Sequence, residues 1–258
     1  MKIVVAYKWA PNPQDAEVRP DGTVDWSRAK GAVSEHDPVA FEVARRLADA
    51  TGGEVVALSV GPASSDTPLA RKAALSRGPE RLVLVADDAL AGAGSTATAA
   101  VLAAAVRAIG DVDVVLTGPE SVDNGDRQVP MTLAGHLGWP ALGNVGDVQA
   151  ADGGLVVERA TDRGVQVLDV TGPAVLAVAA DAVVPRVPGM KDILGAAKKP
   201  TDVLALADLD VPAPGTATEV VGSSRPAPSA RGRNVITTAD PAAAAAELVD
   251  ALRAAGAL

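Results

Sequence analysis

The chain has 258 residues, 48% of them hydrophobic, and a formal net charge of −9. That length allows one large domain or a domain with an extension. The acidic balance argues against a nucleic-acid binder, which needs a basic patch to neutralise phosphates. Without cysteine there are no disulfides, thiolate nucleophiles or cysteine metal sites, and His36 and His136 stand in no metal-ligand spacing. Only five residues are aromatic: Tyr7, Trp9, Trp26, Phe41 and Trp139. The core must come from Val, Leu, Ile and Ala, which suits parallel strands covered on both faces.

In chain order, Lys2–Tyr7 reads as a strand. It lacks the apolar stretch and cleavage site of an export signal. No window approaches 18 apolar residues free of charge, the length of a spanning helix, so the expected location is the cytoplasm. Asp37–Ala50 has the spacing of an amphipathic helix, with Val39, Phe41, Val43, Ala44 and Leu47 on its apolar side. The strand Glu54–Val60 ends in Gly61-Pro62. Ser64-Ser65-Asp66 reads as a cap for the helix Thr67–Ser76, which has Pro68 in its first turn. Arg81–Val85 follows as a strand, then the alanine-rich helix Ser95–Ile109 closed by Gly110. The strand Asp113–Thr117 leads to a helix over Asp126–Leu137, closed by Gly138. His136 is expected on its inner side, semi-buried. This alternation predicts an α/β fold, a doubly wound and mainly parallel sheet.

After Pro140 the pattern changes to strands joined by short turns: Asn144–Gln149, Leu155–Ala160, Val165–Val170 and Ala174–Ala180. Asp152-Gly153-Gly154 is a hairpin signal, so a later antiparallel part is expected. The segment Pro185–Pro200 turns on prolines and a glycine, shows Met190 and Ile193, and ends in a short basic helical turn. Large apolar side chains in such a loop point to docking rather than to a free-standing core. From Thr201 the texture thins. Asp210–Ala217 and Ser223–Arg233 are too rich in Pro, Ala, Ser and Gly to build a core. A last helix starts at Asp240-Pro241. The expected division is a domain over residues 1–200 and a C-terminal arm over 201–258. The arm is either a solvated linker or a partner-wrapping extension.

Ligands in open α/β sheets bind beyond the carboxyl ends of the strands. Three strand ends carry unusual loops: Lys8–Ser34, Ser59–Pro62 and Gly118–Pro130. The last is glycine-rich and polar and runs into a helix, whose first N–H groups favour anions. Arg127 adds a full charge, and Asp123 and Gln128 can hydrogen-bond a base or a ribose. The same residues also fit an ordinary capped loop with Asp126 as the cap. His36-Asp37 reads as a helix start capped by Asp37 rather than as a catalytic pair. No GxSxG, P-loop, GxGxxG or HExxH pattern occurs, so catalytic residues are not assigned.

Together these segments resemble the beta subunit of electron-transfer flavoprotein. The likeness lies in Lys2–Lys8, Val55–Ala63, Asp123–Pro130, Leu133–Pro140, Pro185–Pro200 and the final helix. It implies an adenine-nucleotide-binding, Rossmann-like fold and a non-catalytic carrier subunit. It implies a heterodimer in which an alpha subunit holds most of the redox FAD, while the beta subunit keeps AMP or a second FAD. Flavin dehydrogenases are the implied donors, and a quinone reductase or another protein is the acceptor. Carried over position by position, the nucleotide site comprises Ala6, Ser34, Glu35, His36, Asp37, Val60, Asp123, Asn124, Gly125, Asp126, Arg127, Gln128, Val129, Pro130, Thr132 and Ala134. Met190 matches the apolar anchor of the family's recognition loop, with Ile193 beside it. Two departures touch the flavin-facing segments: Ser34-Glu35-His36 replaces the usual Asn-Pro-aromatic, and Pro13 stands near where a tyrosine is common. The alternatives are a stand-alone stress-protein-like nucleotide module and an ATP-dependent enzyme of the same fold. The first lacks its Gly-Ser signature here, and the second lacks its Ser-Gly-Gly phosphate loop.

Overall fold

Along β1 (Lys2–Ala6) successive side chains point to opposite sides of the sheet, and the apolar residues divide accordingly. Ile3 and Val5 join one core, Val4 and Ala6 another. A computed structural model describes residues 1–211, 221, 222, 224, 226, 227 and 232–258. The Asp210–Ala217 and Ser223–Arg233 stretches lie largely outside the described residues.

Four short strands follow β1 where an irregular excursion was expected. β2 (Trp9–Pro11) pairs with β5 (Gly31–Val33), and β3 (Glu17–Val18) with β4 (Val24–Asp25), as two antiparallel ribbons. The helix α1 (Asp37–Thr51) leads to β6 (Glu54–Gly61), α2 (Pro68–Leu75), β7 (Arg81–Ala86), α3 (Ser95–Ile109) and β8 (Val114–Thr117). Then come α4 (Val129–Leu137), the strands β9 (Ala141–Ala151), β10 (Gly154–Thr161), β11 (Gly164–Val170) and β12 (Ala174–Val178), α5 (Met190–Ala196) and β13 (Thr201–Val203). The main sheet has nine strands in the order β11-β10-β9-β12-β8-β1-β6-β7-β13. Only β9/β10 and β10/β11 pair antiparallel. β12 returns to the parallel body between β8 and β9.

Helices cover both faces, as a doubly wound sheet requires. On one side Val39, Phe41 and Leu47 of α1 and Leu75 of α2 pack on Ile3, Val5, Leu116 and Leu176. On the other, Val101, Leu102 and Val106 of α3 and Leu133 of α4 pack on Val4, Val56, Leu58 and Val115. Among the described residues no helix is long and apolar enough to cross a membrane.

Several local expectations change. The cap of α2 is Thr67, whose hydroxyl accepts from the Ala70 N–H at 3.1 Å, while Asp66 pairs with Arg71. Helix α4 starts at Val129, three residues later than expected, because Arg127 has φ +56° and cannot continue a helix. Asp126 is therefore no cap. His136 is exposed, not semi-buried. The boundary expected at residue 200 falls inside the first compact unit, Met1–Ser223, because Thr201–Val203 pairs in parallel with the edge of β7. The second unit, Ser224–Leu258, contains α6 (Pro241–Ala254), capped by Asp240 through the Ala243 N–H and with no buried residue.

Helix α5 is moored at its C-terminal end. Ala196 is buried, and the Lys199 ammonium donates to the carbonyls of Leu75, Gly78 and Pro79 at 3.0, 3.3 and 2.6 Å. The Leu75 carbonyl closes α2, where a cation meets an unpaired acceptor and the negative end of the helix dipole, and Gly78 and Pro79 follow just beyond it. Lys199→Met should lower stability by about 1.5–3 kcal/mol, on the scale of hydrogen bonds to a charged group. Urea unfolding measures it; a wild-type midpoint would mean that water replaces the ammonium without loss.

Candidate functional site

The order of strands changes direction between β1 and β8. From β1 the chain builds outward through β6 and β7, then crosses back to place β8 on the other side of β1. Above this switch point, at the carboxyl ends of β1, β6 and β8, lies a cleft of about 400 Å³, where open α/β sheets bind ligands.

Asp37 holds the floor of the cleft together. It is the first residue of α1, and its carboxylate does not cap its own helix. It accepts the Lys8 N–H at 2.8 Å and also the Gly118 N–H. Lys8 and Gly118 stand just past the ends of β1 and β8, so one side chain ties both strand ends to α1. Gly118 has no room for a side chain: a Cβ there would come within 2.5 Å of the Asp37 carboxylate. Burial pushes the Asp37 carboxyl up to about 7, against the lowering effect of the N–H groups of Lys8 and Gly118.

Three further contacts join the same segments. The Ser34 hydroxyl accepts the Val122 N–H at 3.0 Å, and the Ser34 N–H donates to the Lys8 carbonyl at 2.9 Å. The Lys8 ammonium donates to both oxygens of Asp123, at 2.8 and 2.7 Å. The loop after β8 is thus fastened at Gly118, Val122 and Asp123. Farther along, Asp126 accepts the Ser95 hydroxyl at 2.9 Å, and Arg127 forms a two-pronged pair with Glu120 at 2.7 and 3.0 Å. That pairing holds the Glu120 carboxyl below the usual range.

Of the residues expected at a nucleotide site, Ala6, Asp37, Val60, Asp123, Asn124, Asp126, Arg127, Gln128, Val129 and Pro130 line the cleft. Ser34, Glu35, His36, Gly125, Thr132 and Ala134 do not. Ser34 is buried beneath the loop, Glu35 is exposed and His36 is half-buried. Gly125, at φ +68°, turns the loop. Thr132 begins the hydrogen bonding of α4, and Ala134 lies in the core. Missed by sequence reasoning were Lys8, and Leu90, Gly92, Ala93, Ser95 and Thr98 from the loop after β7 and the start of α3. The glycines before Ser95 were the available signal. A second cleft of about 330 Å³ lies on the far side of Glu120 and Arg127, lined also by Met131, Asn144 and Ala179.

The model of one protein family, described as the electron transfer flavoprotein domain, matches residues 21–209. The chain belongs to that family. Its members are flavin-associated electron carriers rather than enzymes. The match runs from the first ribbon turns to the strand β13 and covers the α1 start, the β8 loop and α5.

Two outcomes test the floor of the cleft. Gly118→Ala should destabilise the protein by about 1–3 kcal/mol, the usual cost of overpacking, read by urea unfolding; a neutral result would mean that the carboxylate can step aside. For Asp37, the folded carboxyl at about 7 binds a proton that the unfolded one, near about 4, has already released. Its contribution to stability therefore falls as pH rises from about 4 to about 7. Asp37→Asn should flatten that part of the stability–pH curve; an unchanged slope would assign the titration to another group.

Proposed function

We propose that the chain is the beta subunit of a heterodimeric electron-transfer flavoprotein. In this reading an alpha subunit carries most of the redox FAD, and this chain keeps AMP or a second FAD in the switch-point cleft. Electrons come from flavin dehydrogenases and leave to a quinone reductase or another acceptor, in the cytoplasm. Bound flavin supplies the redox chemistry. The residues of this chain bind, orient and shield.

The observation that carries the reading is the convergence at one cleft of segments far apart in sequence. The start of α1 and the 118–130 loop are joined by Asp37, Ser34 and Lys8. The residues present suit a nucleotide: a polar loop for base and ribose, and the volume of a small-ligand site. Asp123, Asn124, Asp126, Arg127 and Gln128 would hold it. Pairing with a second chain is assigned to the arm, including α6.

The docking role falls to α5. Met190 is 71% exposed and Leu194, one turn on, 63%, while Ile193 is half-buried. Leu194 was not singled out in the sequence. The segment is held upstream by the Arg186 N–H on the buried Glu42 carboxylate and downstream by Lys199, so the apolar side chains are presented on a fixed support.

The decisive experiment denatures the purified complex, identifies the nucleotide released and counts flavins per heterodimer. AMP, or a second FAD, accompanying the alpha-subunit flavin is expected. A colourless polypeptide that purifies alone and turns over ATP would sink the reading. Met190→Ala should weaken electron transfer from the dehydrogenase about tenfold or more, the value of one buried side chain, and leave subunit assembly intact. Equal loss of both would make α5 part of the subunit interface.

A further inference from the structure

The cleft lining carries four carboxylates, on Asp37, Glu120, Asp123 and Asp126, against two cations, Lys8 and Arg127. Both cations are engaged. Lys8 serves both oxygens of Asp123, and Arg127 offers Nε and Nη2 to Glu120. An anionic ligand therefore meets no idle positive side chain among these lining residues.

The two pairs differ in how firmly they are held. Lys8 and Asp123 are 38% and 10% exposed, whereas Arg127 is 74% exposed beside a Glu120 at 19%. An ion pair open to water is weak, because solvent screens it and the side chains lose freedom in making it. The parallel N–H donors of a guanidinium also fit two phosphate oxygens as well as two carboxylate oxygens. The backbone of Arg127 is fixed in the left-handed region, between Asp126, which accepts from Ser95, and the start of α4. Glu120 borders both clefts, so its side chain has space to turn away.

We infer that Glu120 is a resident counter-ion of Arg127, displaced by the phosphate of an incoming nucleotide and turned toward the second cleft. The inference rests on the nucleotide reading of the site and adds what the phosphate must displace to reach Arg127. A nucleoside without phosphate has nothing to exchange for Glu120, so the pair leaves its binding untouched and lowers the affinity of the phosphate-bearing ligand alone. In the ligand-free protein the same pair keeps the guanidinium from adventitious anions.

The test is calorimetric titration of the full chain with AMP and with adenosine. Glu120→Gln should tighten AMP by about two- to fivefold, the range of an exposed pair, and leave adenosine unchanged. Arg127→Ala should weaken AMP alone. The double variant should match Arg127→Ala, because the gain from Gln needs the arginine. Glu120→Ala has the same expected sign and serves if the Gln variant does not fold. Weaker AMP binding in the Glu120 variants, or an equal change for adenosine, overturns the exchange. If the wild type takes up neither AMP nor FAD, the nucleotide reading fails. Inorganic pyrophosphate then decides the exchange on its own: tightening by Glu120→Gln keeps it, and no tightening overturns it.

Discussion

One buried carboxylate organises the cleft end of this molecule. Asp37 accepts N–H groups from both sides of the point where the strand order reverses, and it does so from the first turn of a helix. The ends of β1 and β8, already paired as strands, and the start of α1 are thereby fixed in relative position around the cleft. Burying the charge is costly, and the raised carboxyl of Asp37 is the visible sign of that cost. The surrounding core offsets it, with Val39, Phe41 and Leu116 packed on the same face.

That core is built from small aliphatic groups. With a single phenylalanine and a single tyrosine, the sheet relies on alternation of Val, Leu and Ile on both sides. Tyr7 and Phe41 meet with ring centroids 5.5 Å apart, beside the cleft. This ring pair stands where β1 runs out and α1 begins, near Asp37. Specificity elsewhere comes from polar fasteners at element ends: Thr67 on α2, Glu42 on Arg186, Lys199 on the end of α2.

Much of this is legible in the sequence. The bounds of α3 follow from glycines on either side of Ser95–Ile109, and the doubly wound class follows from the βα alternation. What escapes has physical causes. Strands of two or three residues, as in the ribbons after β1, are too short for an alternating pattern. Thr201–Val203 has no signal of its own and becomes a strand because β7 offers an unpaired edge. The start of α4 is displaced by one left-handed residue, Arg127. Asp37 before Pro38 has the look of a cap, yet its carboxylate is drawn to strand ends that no local pattern reveals. Lys8 goes unnoticed for the same reason: its importance depends on which strands are neighbours.

The mooring of α5 carries a consequence for how this region breathes. Lys199 stands two residues before β13, and β13 closes the sheet at β7. Fraying of that outermost strand therefore slackens the ammonium tether, and release of the tether frees the strand. The two form one opening unit, so wear at the rim of the sheet and loosening of α5 arrive as a single event.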